Sequence, residues 1–158
     1  MKMLCLASLA FLNLCASNAI AYWDHMVQGT VDGDRCILFN LSGYKDPSLA
    51  NRNRPELRLI VQSFDPIMFK LEIWSGIDSS LPILGGMKIG SEMFVLKFND
   101  EIGTLQNGSP KALSEALMSG EYVAIGYRHQ DKMIYDRFEL KGIREELDKL
   151  RKICILHA

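Results

Sequence analysis

The chain has 158 residues, of which 48% are apolar and 23% are charged. This length and composition fit one globular domain and exclude a disordered tail or a low-complexity fibre. The formal net charge of −1 argues against a nucleic-acid-binding protein that works through a broad basic face.

Residues 1–21 have the pattern of a secretory signal peptide. Lys2 is followed by an uncharged apolar run that ends at Leu14, and Ala19 and Ala21 form the A-x-A pattern of a cleavage site. The apolar run is about twelve residues long, whereas a transmembrane helix needs ~20 apolar residues. A cleaved signal therefore explains this segment better than a membrane anchor.

We predict cleavage between Ala21 and Tyr22, which leaves one β-rich domain over residues 22–158 and no transmembrane segment. The alternative is a lipoprotein signal ending at Cys15, but Leu14 is larger than the residue that usually precedes a lipidated cysteine. The predicted location of the processed chain is periplasmic or secreted.

Two cysteines, Cys36 and Cys154, remain after removal of the predicted signal. In an exported chain they most simply form one disulfide bond, which would link the first predicted strand to the last helix. The alternative is a pair of free, buried thiols in a reducing compartment. The sequence contains no C-x-x-C motif, so it predicts neither a thioredoxin-like redox site nor a zinc site.

About seven strands are predicted from period-two alternation and from short apolar runs. Six are read directly, and a glycine-rich segment at 85–90 is interpreted as a turn or bulge that enters a strand. The six are residues 35–41, 57–62, 68–74, 94–98, 122–127 and 134–140. Closely spaced strands joined by short turns predict a mainly β fold, either an antiparallel β-sandwich or a barrel-like sheet.

Two helices are predicted, a short one over 110–119 and a C-terminal one over 143–154. The first has Ser109 as its N-cap, a proline at its first position and Gly120 at its end. The second places Ile143, Leu147, Leu150 and Cys154 on one face, and this face is expected to pack on the sheet.

The second half of the chain resembles a known family. A helix ending in Ala-Leu-Met-Ser-Gly (116–120) leads to a strand at 122–125, and Asp-Arg-Phe-Glu-Leu-Lys-Gly (136–142) precedes a terminal helix that ends at a cysteine. Over residues 110–154 this is similar to the invasion-associated locus B family, or to a looser group of small exported bacterial β-rich proteins. The resemblance implies an exported β-rich domain linked to envelope function or host-cell association, and it implies no catalytic residues.

No catalytic motif is present in the sequence. The three histidines, His25, His129 and His157, have no second histidine at metal-ligand spacing, and no serine lies in a G-x-S-x-G motif. Four carboxylates, at Glu72, Asp78, Glu92 and Asp136, have no spacing that brings them together. We therefore predict no catalytic residue, no metal and no cofactor.

The longest polar loop, residues 42–56, is the predicted binding surface. It contains Tyr44, Lys45, Arg52 and Arg54, which together suit an anionic partner. The leading hypothesis is a non-enzymatic domain that binds an unidentified protein, glycan or envelope component, and not a nucleic acid. The alternative is a periplasmic hydrolase or a small-ligand carrier with its site at the mouth of the sheet.

Overall fold

The computed structural model describes residues 23–31, 33–41, 53–77 and 82–156. These residues form nine strands and two helices. In chain order they are β1 (Trp23–Thr30), β2 (Gly33–Leu41), β3 (Glu56–Phe64), β4 (Ile67–Trp74), β5 (Ile83–Ile89), β6 (Glu92–Asn99), β7 (Ile102–Leu105), α1 (Pro110–Ser119), β8 (Tyr122–His129), β9 (Lys132–Glu139) and α2 (Ile143–Ile153).

All nine strands belong to one antiparallel sheet in the order β1-β2-β3-β4-β7-β6-β5-β8-β9. The first four strands follow one another as a meander. The next three form a second meander that runs in reverse across the sheet, so β7 pairs with β4, and β5 pairs with β8. The sheet curls into a half-barrel, which confirms the barrel-like alternative and not a sandwich of two sheets.

The prediction of about seven strands was too low by two. The missed strand β1 lies at the edge of the sheet, and most of its side chains are exposed, so its sequence has no alternation to detect. The missed strand β7 has only four residues and includes Gly103. The prediction of a turn or bulge at 85–90 was also wrong for most of the segment, because Gly85 and Gly86 lie inside β5 and pair with both β6 and β8. The two predicted helices are confirmed, with α1 over the predicted residues and α2 ending one residue earlier, at Ile153.

The inner face of the half-barrel forms the core together with both helices. Alternate residues of each strand point inward, and the largest fully buried side chains include Phe69, Phe98, Tyr127 and Phe138. Leu147 and Leu150 of α2 are also buried in this cluster. The apolar stripe predicted for the C-terminal helix therefore packs as expected.

Helix α1 begins where its sequence predicts. The hydroxyl oxygen of Ser109 accepts a hydrogen bond from the backbone N–H of Ala112 at 3.0 Å. Ser114, buried on the same helix, accepts a hydrogen bond from the backbone N–H of Phe69 in β4 at 3.0 Å. Strand β7 pairs only with Glu72–Trp74 of β4. Earlier in β4, at Phe69, the backbone N–H therefore bonds to helix α1.

The two edges of the sheet approach each other at one end. The indole N–H of Trp23 in β1 and the side-chain amide of Asn40 in β2 both donate to the backbone carbonyl of Glu139 in β9, at 3.1 and 2.9 Å. Helix α2 packs against β1 and β2 on the inside of this closure. Both helices thus lie on the concave side, and neither covers the convex outer face of the described sheet.

Candidate binding surfaces

Most of the predicted binding loop lies outside the described residues. Tyr44, Lys45 and Arg52 fall in the segment 42–52, which the structure does not describe. Arg54 is described and is exposed. The loop at 42–56 therefore stays a prediction.

Cys36 and Cys154 lie at disulfide distance. Their Cα atoms are 6.0 Å apart, inside the ~4.4–6.8 Å range of disulfide bonds. Both residues are buried, Cys36 on the inner face of β2 and Cys154 at the end of α2. The predicted pair is thus brought together, although Cys36 belongs to the second strand of the domain and not to the first.

Two pairs of side chains from distant parts of the chain, Asp24 with His25 and Glu146 with Lys149, meet between β1 and α2. The Nδ1 atom of His25 is 2.5 Å from Oε1 of Glu146, and the ammonium group of Lys149 donates to Oε2 of Glu146 at 3.0 Å. Asp24 is close enough that one possible metal-ligand atom from each of Asp24, His25 and Glu146 lies within 4.8 Å of the other two. The sequence analysis missed this cluster because His25 and Glu146 are 121 positions apart.

The chemistry of this cluster is that of an ion pair that joins a strand to a helix. Burial raises the pKa of the Glu146 carboxyl, but the hydrogen bonds and charges of His25 and Lys149 outweigh burial and hold this pKa below its ordinary value. The same contact with Glu146, assisted by Glu145, raises the pKa of Lys149. Because Lys149 already neutralises the buried carboxylate, the geometry supports structural pairing better than metal coordination.

The carboxylates considered in the sequence do not converge among the described residues. Glu72 lies on the outer face of β4, where it pairs with Arg35 at 3.0 Å. Glu92 is exposed at the start of β6, whereas Asp136 is buried on the inner face of β9, 3.4 Å from the hydroxyl of Tyr127. No two of these three form an acid–base pair.

A shallow depression lies where α1 ends and α2 begins. Its lining includes Met118, Glu121, Glu139, Lys141 and Arg144. The Arg144 guanidinium donates to the backbone carbonyl of Met118 at 2.7 Å and so links the two helices across it. The depression contains two acidic and two basic side chains, and it is lined by the end of α1, the end of β9 and the start of α2.

The most unusual surface is the outer face of β5, β6, β8 and β9. We call it the apolar face and define it by five exposed residues: Leu84, Met93, Val95, Met133 and Tyr135. Leu84 is 68% exposed, Met93 62% and Tyr135 55%. Exposed large apolar side chains are normal when scattered, but a contiguous group of them marks an interaction site.

The strand registers place these residues in three neighbouring rows. Val95 of β6, Gly86 of β5, Gly126 of β8 and Tyr135 of β9 form the central row. A Cβ atom added to Gly86 would meet nothing within 4 Å, so the backbone is bare there, whereas the ring of Tyr135 lies over Gly126. The rows on either side contain the other three apolar residues and four cations, which are Lys88, Lys97, Arg128 and Arg137.

The outer face of β2, β3 and β4 differs in its chemistry. There Glu72 lies between Arg35 and Lys70, and Arg58 pairs with Glu56. Acidic and basic side chains thus neutralise one another on that half of the sheet. Apolar residues also lie on the outer face of β1 to β3, at Met26, Ile37 and Ile60, but Ile37 and Ile60 are buried and Met26 is only 38% exposed. The larger group of exposed apolar side chains is that of the apolar face.

Comparison of the chain with protein-family models, with curated proteins and with solved structures finds no match. The resemblance to the invasion-associated locus B family therefore stays a prediction. Within the described residues, neither helix has both the length and the apolar character needed to cross a bilayer.

Proposed function

We propose that the protein is an exported, non-enzymatic domain that binds a macromolecular partner of the envelope or of the cell exterior through its apolar face. The observation that carries this proposal is the exposure of Leu84, Met93, Val95, Met133 and Tyr135 on one continuous outer surface. Water in contact with such a surface is released when a partner covers it, which favours association.

Two further observations support an extracytoplasmic location. Residues 1–21 match a secretory signal, and Cys36 and Cys154 lie at disulfide distance. Disulfide bonds persist in the periplasm and outside the cell, whereas cytosolic thiols are kept reduced. More specific forms of this proposal are that the protein stays in the periplasm, that it is secreted, or that it associates with a host cell.

The alternative of a hydrolase or small-ligand carrier draws no support from the described residues. A carrier needs an open interior, but large side chains such as Phe98, Tyr127 and Phe138 fill the inside of the half-barrel. A hydrolase needs converging polar groups, and the depression beside Met118 and Arg144 is lined instead by surface residues of both charges.

The test is binding of the purified protein to envelope fragments from the cells that produce it, measured by sedimentation. The triple variant Leu84→Thr/Met93→Thr/Met133→Thr removes apolar side chains from the apolar face and keeps residues with good strand propensity. The matched control is Ile153→Thr/Ile155→Thr, because these exposed apolar side chains flank Cys154, which lies beside Cys36 of β2, and do not belong to the apolar face.

We expect the triple variant to lose most of its binding and the control to keep it. Equal sedimentation of wild type and triple variant would contradict the proposal. In the same assay Arg52→Ala/Arg54→Ala tests the loop at 42–56, and loss of binding in this variant alone would assign the surface to the loop.

A further inference from the structure

We propose that the partner of the apolar face is a membrane surface that contains anionic phospholipid. This inference rests on the proposed function and names the chemical class of the partner. It follows from three properties of the face, namely its charge, its shape and its size.

The charge of the face is positive. Its three rows comprise twelve outward positions on β5, β6, β8 and β9, of which none is acidic and four are lysine or arginine. Arg137 pairs with Glu139 at 2.9 Å, and Arg128 lies 4.0 Å from Asp131.

Two lysines on the face supply charge that no acidic residue among those described neutralises. Lys88 and Lys97 form no ion pair with any residue in the described part of the chain. Each lies beside an apolar residue of the next strand, because Lys88 is opposite Met93 and Lys97 is opposite Leu84. Apolar side chains next to unpaired cations suit the boundary between acyl chains and anionic headgroups.

The shape of the face favours a deformable partner. The face is the convex side of a curled sheet, and the depression found among the described residues lies elsewhere, beside Met118 and Arg144. A convex surface cannot enclose a small molecule, but its projecting side chains can enter a lipid interface. Methionine and leucine suit the acyl region, tyrosine suits the interface, and lysine can extend its ammonium group back to the headgroups.

The size of the face argues against a stable protein partner. Four strands at ~4.8 Å spacing and three rows at ~6.8 Å spacing cover about 19 by 20 Å, or roughly 400 Å² in projection. A standard protein–protein interface buries ~800 Å² on each partner. A peripheral lipid contact has no such minimum, because electrostatic attraction adds to a small apolar insertion.

The experiment measures co-sedimentation of the purified protein with lipid vesicles. The protein is taken from the compartment in which it accumulates, and its N-terminus is determined by mass spectrometry. Vesicles of phosphatidylcholine alone are compared with vesicles in which one third of the lipid is phosphatidylglycerol. The variants are the triple variant at Leu84, Met93 and Met133, the pair Lys88→Gln/Lys97→Gln, and the control at Ile153 and Ile155.

We expect binding to anionic vesicles and little binding to neutral ones. Removal of each lysine should weaken binding about fivefold, which corresponds to ~1 kcal/mol per cation near an anionic surface. The triple variant should weaken binding about tenfold or more, and added salt should weaken wild-type binding. Unchanged melting temperatures of the variants would confirm that they fold, and the lysine pair keeps the test valid if the triple variant does not.

Several outcomes would overturn the inference. Equal binding to neutral and anionic vesicles, or full binding by the lysine pair, would exclude the anionic surface as the partner. If wild type binds envelope fragments through the apolar face but ignores both kinds of vesicle, the proposed function stands and this inference fails. A dimer that the triple variant abolishes, without vesicle binding, would assign the face to a second copy of the chain.

Discussion

Oxidation of Cys36 and Cys154 should provide a large part of the stability of this domain. A bond between residues 118 positions apart would restrict almost the whole described chain in its unfolded state. The chain-entropy model gives a loss of about 16 cal/mol/K for such a loop, or about 5 kcal/mol at 25 °C. Measured values are commonly ~2–4 kcal/mol, so we expect a loss within about 2–5 kcal/mol on reduction.

The assay is urea unfolding of the wild type with and without a reductant, together with the variant Cys36→Ala/Cys154→Ala. Because both cysteines are buried, alanine is preferred to serine, which would place a hydroxyl in the core. The difference between oxidised and reduced wild type isolates the bond. The difference between reduced wild type and the double variant isolates the packing of the two sulfur atoms.

The expected order of stability is oxidised wild type, then reduced wild type, then the double variant, with the first gap the larger. For a domain of this size the first gap corresponds to a fall in melting temperature of roughly 10 °C. The reasoning would be refuted by two reactive thiols per chain in denatured, unreduced protein. Identical unfolding curves with and without reductant would refute it as well.

Four further substitutions test packing and charge. Leu147→Ala should lower the free energy of unfolding by ~2–5 kcal/mol, since the side chain is buried in the core, and the exposed Glu145→Ala should change it by less than about 0.5 kcal/mol. Glu146→Gln should cost about 1–3 kcal/mol near neutral pH. Because the folded-state pKa of Glu146 is lowered from 4.5, the advantage of the wild type is present above that pH and disappears as the pH falls through the folded pKa, which urea unfolding at neutral and acidic pH will check. Gly103→Ala should cost ~1–3 kcal/mol by thermal unfolding, because its Cβ would lie 2.5 Å from the ring of Phe98, and an unchanged melting temperature would contradict this packing.

The local parts of the fold could be predicted because they depend on neighbouring residues. Ser109, Pro110 and Gly120 mark the limits of α1, and the spacing of Leu147 and Leu150 identifies the buried face of α2. The cysteine pair was also predictable, because only one pairing is left once the predicted signal is removed. The helix signals lie within a few residues of one another, and the cysteine pairing needs no knowledge of how the strands are arranged.

The parts that could not be predicted depend on which strands become neighbours. His25 and Glu146 meet only because α2 packs on β1. The apolar face had a partial signal, because Met93 and Val95 occupy the outward positions of a strand whose inward positions are also apolar. The alternation of side chains in one strand does not show which other strands are its neighbours, so it cannot predict that exposed apolar residues of several strands form one surface.

The order of the strands in the sheet determines both the position of α1 and the existence of the apolar face. In a simple meander β7 would pair with β8, and two strands would separate Gly86 from Gly126, which are direct neighbours in the structure. Reversal of the second meander instead places β7 beside β4. Because β7 is short, it does not reach Phe69, and the N–H of Phe69 donates to Ser114 of α1. The same reversal puts β5 next to β8 and makes the apolar rows continuous. The position of α1 on the inner face and the apolar face on the outer side thus both follow from the order of the strands.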